Sequence, residues 1–163
     1  MSLKGFYACF AGKDDLLVAL LEEDSRIGAA ILGEVVDAHD RPSDRLRAYV
    51  EGVFELLTLP GAAGYARVLV QEHRRLSEQR PDELRRALAP MIDLLAGELA
   101  AASTAGVVAP TNHERDAQTV FGLVLEGVHD VTLGRAEALD QAEYLWRFCW
   151  RGLHGRDGDR EEQ

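Results

Sequence analysis

Glu126 and His129 are the two residues of this chain best spaced to hold a metal ion together. Residues three apart in a helix share a face, and di-iron bundle proteins use such Glu-x-x-His pairs as ligands. Those proteins need a second pair and two further glutamates, and the sequence contains no second Glu-x-x-His. A helical-bundle metalloenzyme therefore stays an alternative only, and no metal or other cofactor is predicted.

The other residue types that support catalysis form no recognisable motif. Serine, histidine and aspartate occur without a nucleophile elbow, and no glycine-rich loop could cradle a phosphate. Cys9 and Cys149 are the only cysteines, and their separation fits no metal or redox spacing. We interpret them as thiols in a reducing cytosol, with a disulfide as the alternative. No catalytic residue is predicted.

The charge of the chain is acidic and unevenly placed. Against 18 Lys and Arg stand 28 Asp and Glu, a net charge of −10. All the acidic residues lie at or beyond Asp14, so that without Lys4 and Lys13 the balance is 16 against 28, or −12. Such a body repels phosphate, and only the short N-terminal segment could contact nucleic acid.

The elements that must position these residues are helices. Apolar residues recur every three or four positions, no alternating strand pattern is found, and no apolar run approaches the roughly 18 residues that span a bilayer. Ser43 is expected to cap the second helix and Pro90 to kink the fourth. The helices are predicted from about Lys13 to His39, Ser43 to Leu57, around Tyr65 to Leu76, Pro81 to about Gly106, Glu114 to Leu133 and Glu137 to His154.

The last two of these helices have apolar faces wider than one core requires. A helix that is apolar over much of its circumference is buried on two sides, and the second side is most simply another subunit. We therefore predict a two-fold homodimer with a four-helix interface. The predicted interface residues are Val124, Val128, Val131, Leu145, Trp146, Phe148, Cys149 and Leu153, with Trp150 in the same aromatic cluster.

The N-terminal stretch carries the most specific pattern in the chain. It reads Lys4-Gly5, then Phe6-Tyr7-x-x-Phe10, then Lys13-x-x-Leu16-Leu17. This resembles the end of the DNA-reading helix and the start of the next helix in TetR-family transcriptional repressors. The helical succession and the Ala105–Pro110 loop are similar to that family's regulatory domain, but are generic.

The resemblance implies roles for the matching residues. Lys4, Gly5, Tyr7 and Lys13 would lie at the DNA backbone, and Phe6 and Phe10 would belong to the core of the DNA-binding head. The sequence departs from the family in two ways. The preceding helices, which carry most base-reading residues, are expected to be missing, with Met1-Ser2-Leu3 resembling an added leader, and one residue between Gly5 and the aromatic pair is absent.

The resemblance also implies an effector-binding pocket inside the helical body. Apolar residues with a few polar groups suit such a pocket, although any one of them could be ordinary core. His73 and His129 are the polar candidates, since an imidazole can hydrogen-bond a ligand. The candidate ligand-binding residues are Tyr49, Phe54, Tyr65, Leu69, His73, Met91, Leu95, Phe121, Leu125 and His129.

Together these observations predict an all-α, helical-bundle regulatory domain. Residues 1–12 would be a remnant of a helix-turn-helix head, 13–154 the ligand-binding and dimerisation domain, and 155–163 a disordered tail. The expected function is that of a TetR-like, small-molecule-responsive repressor, cytoplasmic and without a membrane partner. It would bind an operator DNA only with a complete head. The alternatives are the metalloenzyme and a dimerising, effector-binding module that does not bind DNA.

Overall fold

Six α-helices and no strand make up the part of the chain that the computed structural model describes, residues 12–110 and 112–153. The all-α class predicted from the apolar periodicity is confirmed. The helices are α1 (Lys13–Asp37), α2 (Pro42–Leu57), α3 (Ala62–Gln79), α4 (Pro81–Thr104), α5 (His113–Thr132) and α6 (Ala138–Gly152). Residues 1–11, and with them Lys4, Gly5 and Tyr7, lie outside the described residues, as does the predicted tail.

The helix starts follow local sequence signals. Pro42 and Pro81 occupy first-turn positions, where the missing N–H costs no hydrogen bond. The Asn112 side chain accepts a hydrogen bond from the backbone N–H of Arg115 at 3.0 Å and so caps α5. The prediction of Ser43 as a cap was wrong: Ser43 lies inside α2, and Arg41 is the residue before the helix.

The turn between α2 and α3 depends on one glycine. Gly61 has φ +80°, in the left-handed region that residues with a Cβ rarely adopt. It directly precedes α3, so its left-handed backbone sets the direction in which α3 leaves. That direction matters because α3 forms one wall of the cavity described below.

The main core is formed by the apolar faces of α1, α2, α4, α5 and α6. Its largest fully buried members include Tyr49, Phe54 and Leu95. The Tyr49 hydroxyl donates to the Met91 carbonyl at 2.9 Å, which satisfies it within the core. Helix α4 is long and apolar enough to cross a membrane by length and composition, but its Leu95, Leu99 and Ala102 are buried in this core.

A second, smaller core joins the first half of α1 to the end of α3 and the start of α4. It is formed by Leu21, Leu76, Leu84 and Ala87. Ion pairs surround it. Arg75 donates to Asp14 at 2.6 Å and to Glu72 at 2.8 Å, Lys13 Nζ lies 3.1 Å from Glu72, and Arg80 pairs with Asp15. The start of α1 is therefore held against α3 and α4 by apolar and charged contacts together.

A buried ion pair fixes the opposite end of α1 to α2 and α4. Arg45 binds both carboxylate oxygens of Glu98, at 2.7 and 2.8 Å, and also Asp37 at 2.8 Å. Glu98 is only 9% exposed, so its charge depends on this guanidinium. The hydrogen bonds to Glu98 and Asp37 raise the pKa of Arg45 further above its already high value.

Candidate ligand-binding site

An apolar cavity of about 260 Å³ lies between α1, α2, α3, α4 and α5, where the two cores meet. Most of its wall consists of aliphatic and aromatic side chains, which suits an apolar ligand or an apolar part of one. The lining residues are Leu21, Asp24, Ser25, Gly28, Val53, Leu56, Leu57, Ala62, Tyr65, Ala66, Leu69, Val70, His73, Leu88, Met91, Phe121, Leu125 and Val128.

Helix α1 contributes one face to this cavity. Leu21, Ser25 and Gly28 follow one another at three- or four-residue spacing. A Cβ at Gly28 would lie 3.2 Å from the Met91 sulfur, so α1 and α4 approach closely here. Neither Ser25 nor Gly28 was among the candidate ligand-binding residues predicted from the sequence. The small residues at helical spacing were the available signal for them.

Ser25 is the buried polar group of the cavity wall. The residue is 5% exposed, and its hydroxyl has no hydrogen-bond partner among the described residues. A buried hydroxyl without a partner costs on the order of 1–3 kcal/mol. The position is therefore unfavourable for the protein alone and favourable for a ligand that can supply a polar atom.

Tyr65 and Asp24 line the end of the cavity toward the start of α3. The Tyr65 hydroxyl donates to the Asp24 carboxylate. Partial burial and this carboxylate raise the pKa of Tyr65 to about 12, so the phenol stays neutral at physiological pH. Tyr65 is nevertheless 45% exposed, and its ring forms part of the outer surface.

His73 marks the other end of the cavity, two turns further along α3. Burial lowers the pKa of its imidazole below 6.5, so the neutral form predominates at pH 7. On the far side of His73 a groove of about 480 Å³ opens between α3 and α5, with more polar residues in its lining than the cavity has. The groove is lined by Val70, Gln71, His73, Arg74, Ser77, Gly122, Leu125, Glu126 and His129.

The structure divides the ten candidate ligand-binding residues into three groups. Six line the cavity: Tyr65, Leu69, His73, Met91, Phe121 and Leu125. His129 lines the groove beside it. Tyr49, Phe54 and Leu95 instead lie inside the main core, at most 1% exposed, and line neither space. Sequence spacing placed all ten on inward faces, but could not separate core from cavity wall.

The predicted dimer residues divide in a similar way. Val124, Val128, Leu145 and Cys149 are buried within the single chain, so a second subunit could not reach them in this conformation. Val131, Trp146 and Leu153 are partly buried, and Phe148 is 56% exposed. Burial raises the pKa of the Cys149 thiol to about 11, which keeps it protonated. Leu139 and Tyr144 of α6 are exposed as well.

Lys13, the one predicted DNA contact among the described residues, starts α1. Its side chain is 72% exposed, and its ammonium group pairs with Glu72 on α3. Glu126 and His129 both lie on α5, but no group of three or more His, Cys, Asp or Glu residues that could hold a metal ion occurs in the described part of the chain.

Comparison with known proteins gives a structural likeness. No protein-family model and no curated protein sequence matches the chain. A solved structure does: the transcriptional regulator FadR from Bacillus subtilis in complex with stearoyl-CoA, with a TM-score of 0.77. The fold is that of a solved transcriptional regulator. The match covers 94% of this chain and 83% of FadR, and at 19% identity it shows the fold alone.

Proposed function

We propose that this chain is the ligand-sensing and dimerising body of a transcription regulator of the TetR type. The cavity carries the proposal, because it is apolar, bounded on one side by α1, and contains the unpartnered hydroxyl of Ser25. The resemblance of Lys4 to Leu17 to the TetR family supports it. The likeness to FadR, a regulator rather than an enzyme, supports it at the level of fold.

The ion pairs at the start of α1 suggest how a ligand would be sensed. Helix α3 lines the cavity with Tyr65, Leu69 and His73, and its later residue Arg75 holds Asp14 at 2.6 Å. A ligand that shifts α3 therefore also shifts the start of α1. By the mechanism that the resemblance implies, α1 would then pivot and change the spacing of two DNA-binding heads, a shift between two dimer states.

Two small molecules serve as first probes of the cavity. FadR was solved with stearoyl-CoA, so an acyl chain is a reasonable starting ligand, and decanoyl-CoA and free decanoate are shorter forms of the same chemistry. At a concentration 100 times its Kd, a ligand adds about 2.7 kcal/mol of stability. For a domain of this size that corresponds to a rise in Tm of about 5–10 °C.

Filling the cavity should abolish this effect. Ala66 lines the cavity and is small, so Ala66→Trp places an indole where the ligand would lie. The expected result is a rise in Tm with ligand for the wild type and for Ala30→Trp, on the exposed side of α1, but none for Ala66→Trp. Ala66→Met, which adds a flexible chain, should lose part of the shift and covers the case in which the Trp variant folds poorly. An undiminished shift in both Ala66 variants, or no shift in the wild type with any acyl probe, would contradict the proposal.

A module that dimerises and binds an effector without contacting DNA is the second candidate. The balance of −12 from Asp14 onward favours it, because it opposes contact with phosphate. Selection of bound DNA from a random pool by this 163-residue chain tests the module. A bound sequence whose affinity falls steeply with salt excludes it, whereas no enrichment agrees with both candidates, because operator binding requires a complete head.

A further inference from the structure

The apolar cavity and the groove between α3 and α5 adjoin each other at His73. Val70, His73 and Leu125 line both. Along α3 the cavity runs from Ala62 to His73, which is about 16 Å at 1.5 Å per residue. An elongated molecule that passes the His73 side chain would lie along α3 with one end in the cavity and the other in the groove.

The groove offers hydrogen-bond donors to such a molecule. Arg74 and Gln71 come from α3 and His129 from α5. Arg74 is exposed, and its guanidinium has no ion-pair partner among the described residues. The next residue, Arg75, is fully engaged by Asp14 and Glu72. Arg74 is thus free to bind an anion, and guanidinium groups suit carboxylates and phosphates.

The two ends of the space differ in charge. The cavity end carries the Asp24 carboxylate, bonded to Tyr65, which would repel an anion. The groove carries Arg74, with Glu126 as the opposing carboxylate in its lining. An amphipathic ligand would therefore lie with its chain toward Tyr65 and its charged head toward Arg74.

We propose that the groove between α3 and α5 is a head-group subsite, and that the ligand is an acyl chain carrying an anionic, oxygen-rich head. Arg74 binds the head, and the cavity holds the chain. This rests on the proposed function, since it assigns the ligand class of the same cavity. The head could be a free carboxylate or the phosphates of an acyl-CoA, which share this chemistry.

The test compares charged and neutral heads on one chain length. Binding of decanoate, decanoyl-CoA and methyl decanoate to the full chain is measured by isothermal titration calorimetry. Arg74→Gln is expected to lower the affinity for at least one of the two anionic ligands by about three- to tenfold, the range for a partly exposed charged hydrogen bond. The affinity for the methyl ester should change by less than about twofold.

Two further variants control the comparison. Arg67 is also exposed, lies two turns earlier on α3 and lines neither space, so Arg67→Gln should leave all three affinities unchanged. Glu126→Gln removes the opposing carboxylate and should raise the affinity for the same anionic ligand without changing the affinity for the ester.

The possible outcomes separate this inference from the proposed function. If the ligands bind and Ala66→Trp abolishes binding, but Arg74→Gln affects the ester as much as the anions or affects nothing, the cavity function stands and the subsite assignment is overturned. If no probe binds the wild type, or Ala66→Trp has no effect, both fail. Selective loss of decanoate affinity alone assigns the free carboxylate as the head, and selective loss of decanoyl-CoA affinity alone assigns the phosphates of an acyl-CoA.

Discussion

At the scale of single residues, His73 lies where the cavity and the groove adjoin. It lines both spaces, and burial lowers its pKa, so the folded protein holds it neutral. On the α1 side of the cavity, Ser25 carries a buried hydroxyl that has no hydrogen-bond partner among the described residues. The sequence identified His73 as a polar candidate but not Ser25, because the apolar pattern of α1 is defined by its leucine, isoleucine and valine residues.

The lowered pKa of His73 predicts a loss of stability in mild acid. Well above pH 6.5 His73 is neutral in both folded and unfolded chains, so it adds no pH dependence there. Below that value the unfolded chain takes up a proton before the folded chain does, and the free energy of unfolding falls as the pH falls. In His73→Gln this contribution disappears.

Urea unfolding of wild type and His73→Gln at pH 8, 6.5 and 5 checks this prediction. The comparison at pH 8 measures what the substitution costs in packing alone, and that difference is subtracted. The wild type should then lose more stability than the variant between pH 6.5 and 5. Equal losses would show that burial of His73 does not disfavour its charged form.

At the scale of elements, α5 packs closely against both α2 and α6. The three helices meet at Gly127 of α5. A Cβ there would lie 2.6 Å from a Leu145 methyl and 2.9 Å from the Phe54 ring, both side chains of the main core. Five residues earlier on the same helix, Gly122 has open space around it. Close packing therefore requires a glycine at position 127 of α5, but not at position 122.

Alanine substitution should move stability in opposite directions at these two positions. Gly127→Ala overpacks the junction of α2, α5 and α6 and should lower the free energy of unfolding by about 1–3 kcal/mol. Gly122→Ala adds only helix propensity and should raise it by up to about 1 kcal/mol. Denaturant unfolding measures both. A stabilised Gly127→Ala variant would mean that the three helices are not packed this tightly.

At the scale of the whole molecule, α6 exposes large apolar side chains that the described part of the chain does not cover. Tyr144 and Phe148, one turn apart on one face of α6, are 63% and 56% exposed. The 62% exposed Leu139 lies on the opposite flank of the helix, beside the Trp146 and Trp150 rings, whose centroids are 5.0 Å apart. Exposed aromatic groups of this kind mark protein interfaces. The proposed dimer would therefore use the face of α6 that carries Tyr144 and Phe148, and not the residues of α5 and α6 that are buried within one chain.

Phe148→Asp should weaken the proposed dimer. A carboxylate at the centre of an apolar interface costs on the order of 2 kcal/mol or more, equivalent to at least about a tenfold rise in the dimer Kd. Leu59→Asp is the matched control, since Leu59 has the same 56% exposure but lies between α2 and α3. Analytical ultracentrifugation at micromolar concentration measures the association. A monomeric wild type, or equal weakening by both variants, would contradict the interface on α6.

The sequence alone determined the helices, their order and most of their ends, because apolar spacing, prolines and first-turn acids act within a few residues of chain. It also determined the net negative charge of the helical body, because net charge does not depend on the fold. Helix ends that depend on more than one candidate cap, as at Arg41 and Ser43, were less certain.

Only the tertiary structure decided which inward residues form core and which form a site. Tyr49 and Tyr65 look alike in the sequence, each an aromatic residue on an apolar face. Tyr49 is enclosed and bonds the Met91 carbonyl, whereas Tyr65 reaches Asp24 at the end of a cavity. The difference comes from how closely neighbouring helices approach. Local periodicity sets which way a side chain points, but the distance to the opposite helix decides whether it meets another side chain or an open space.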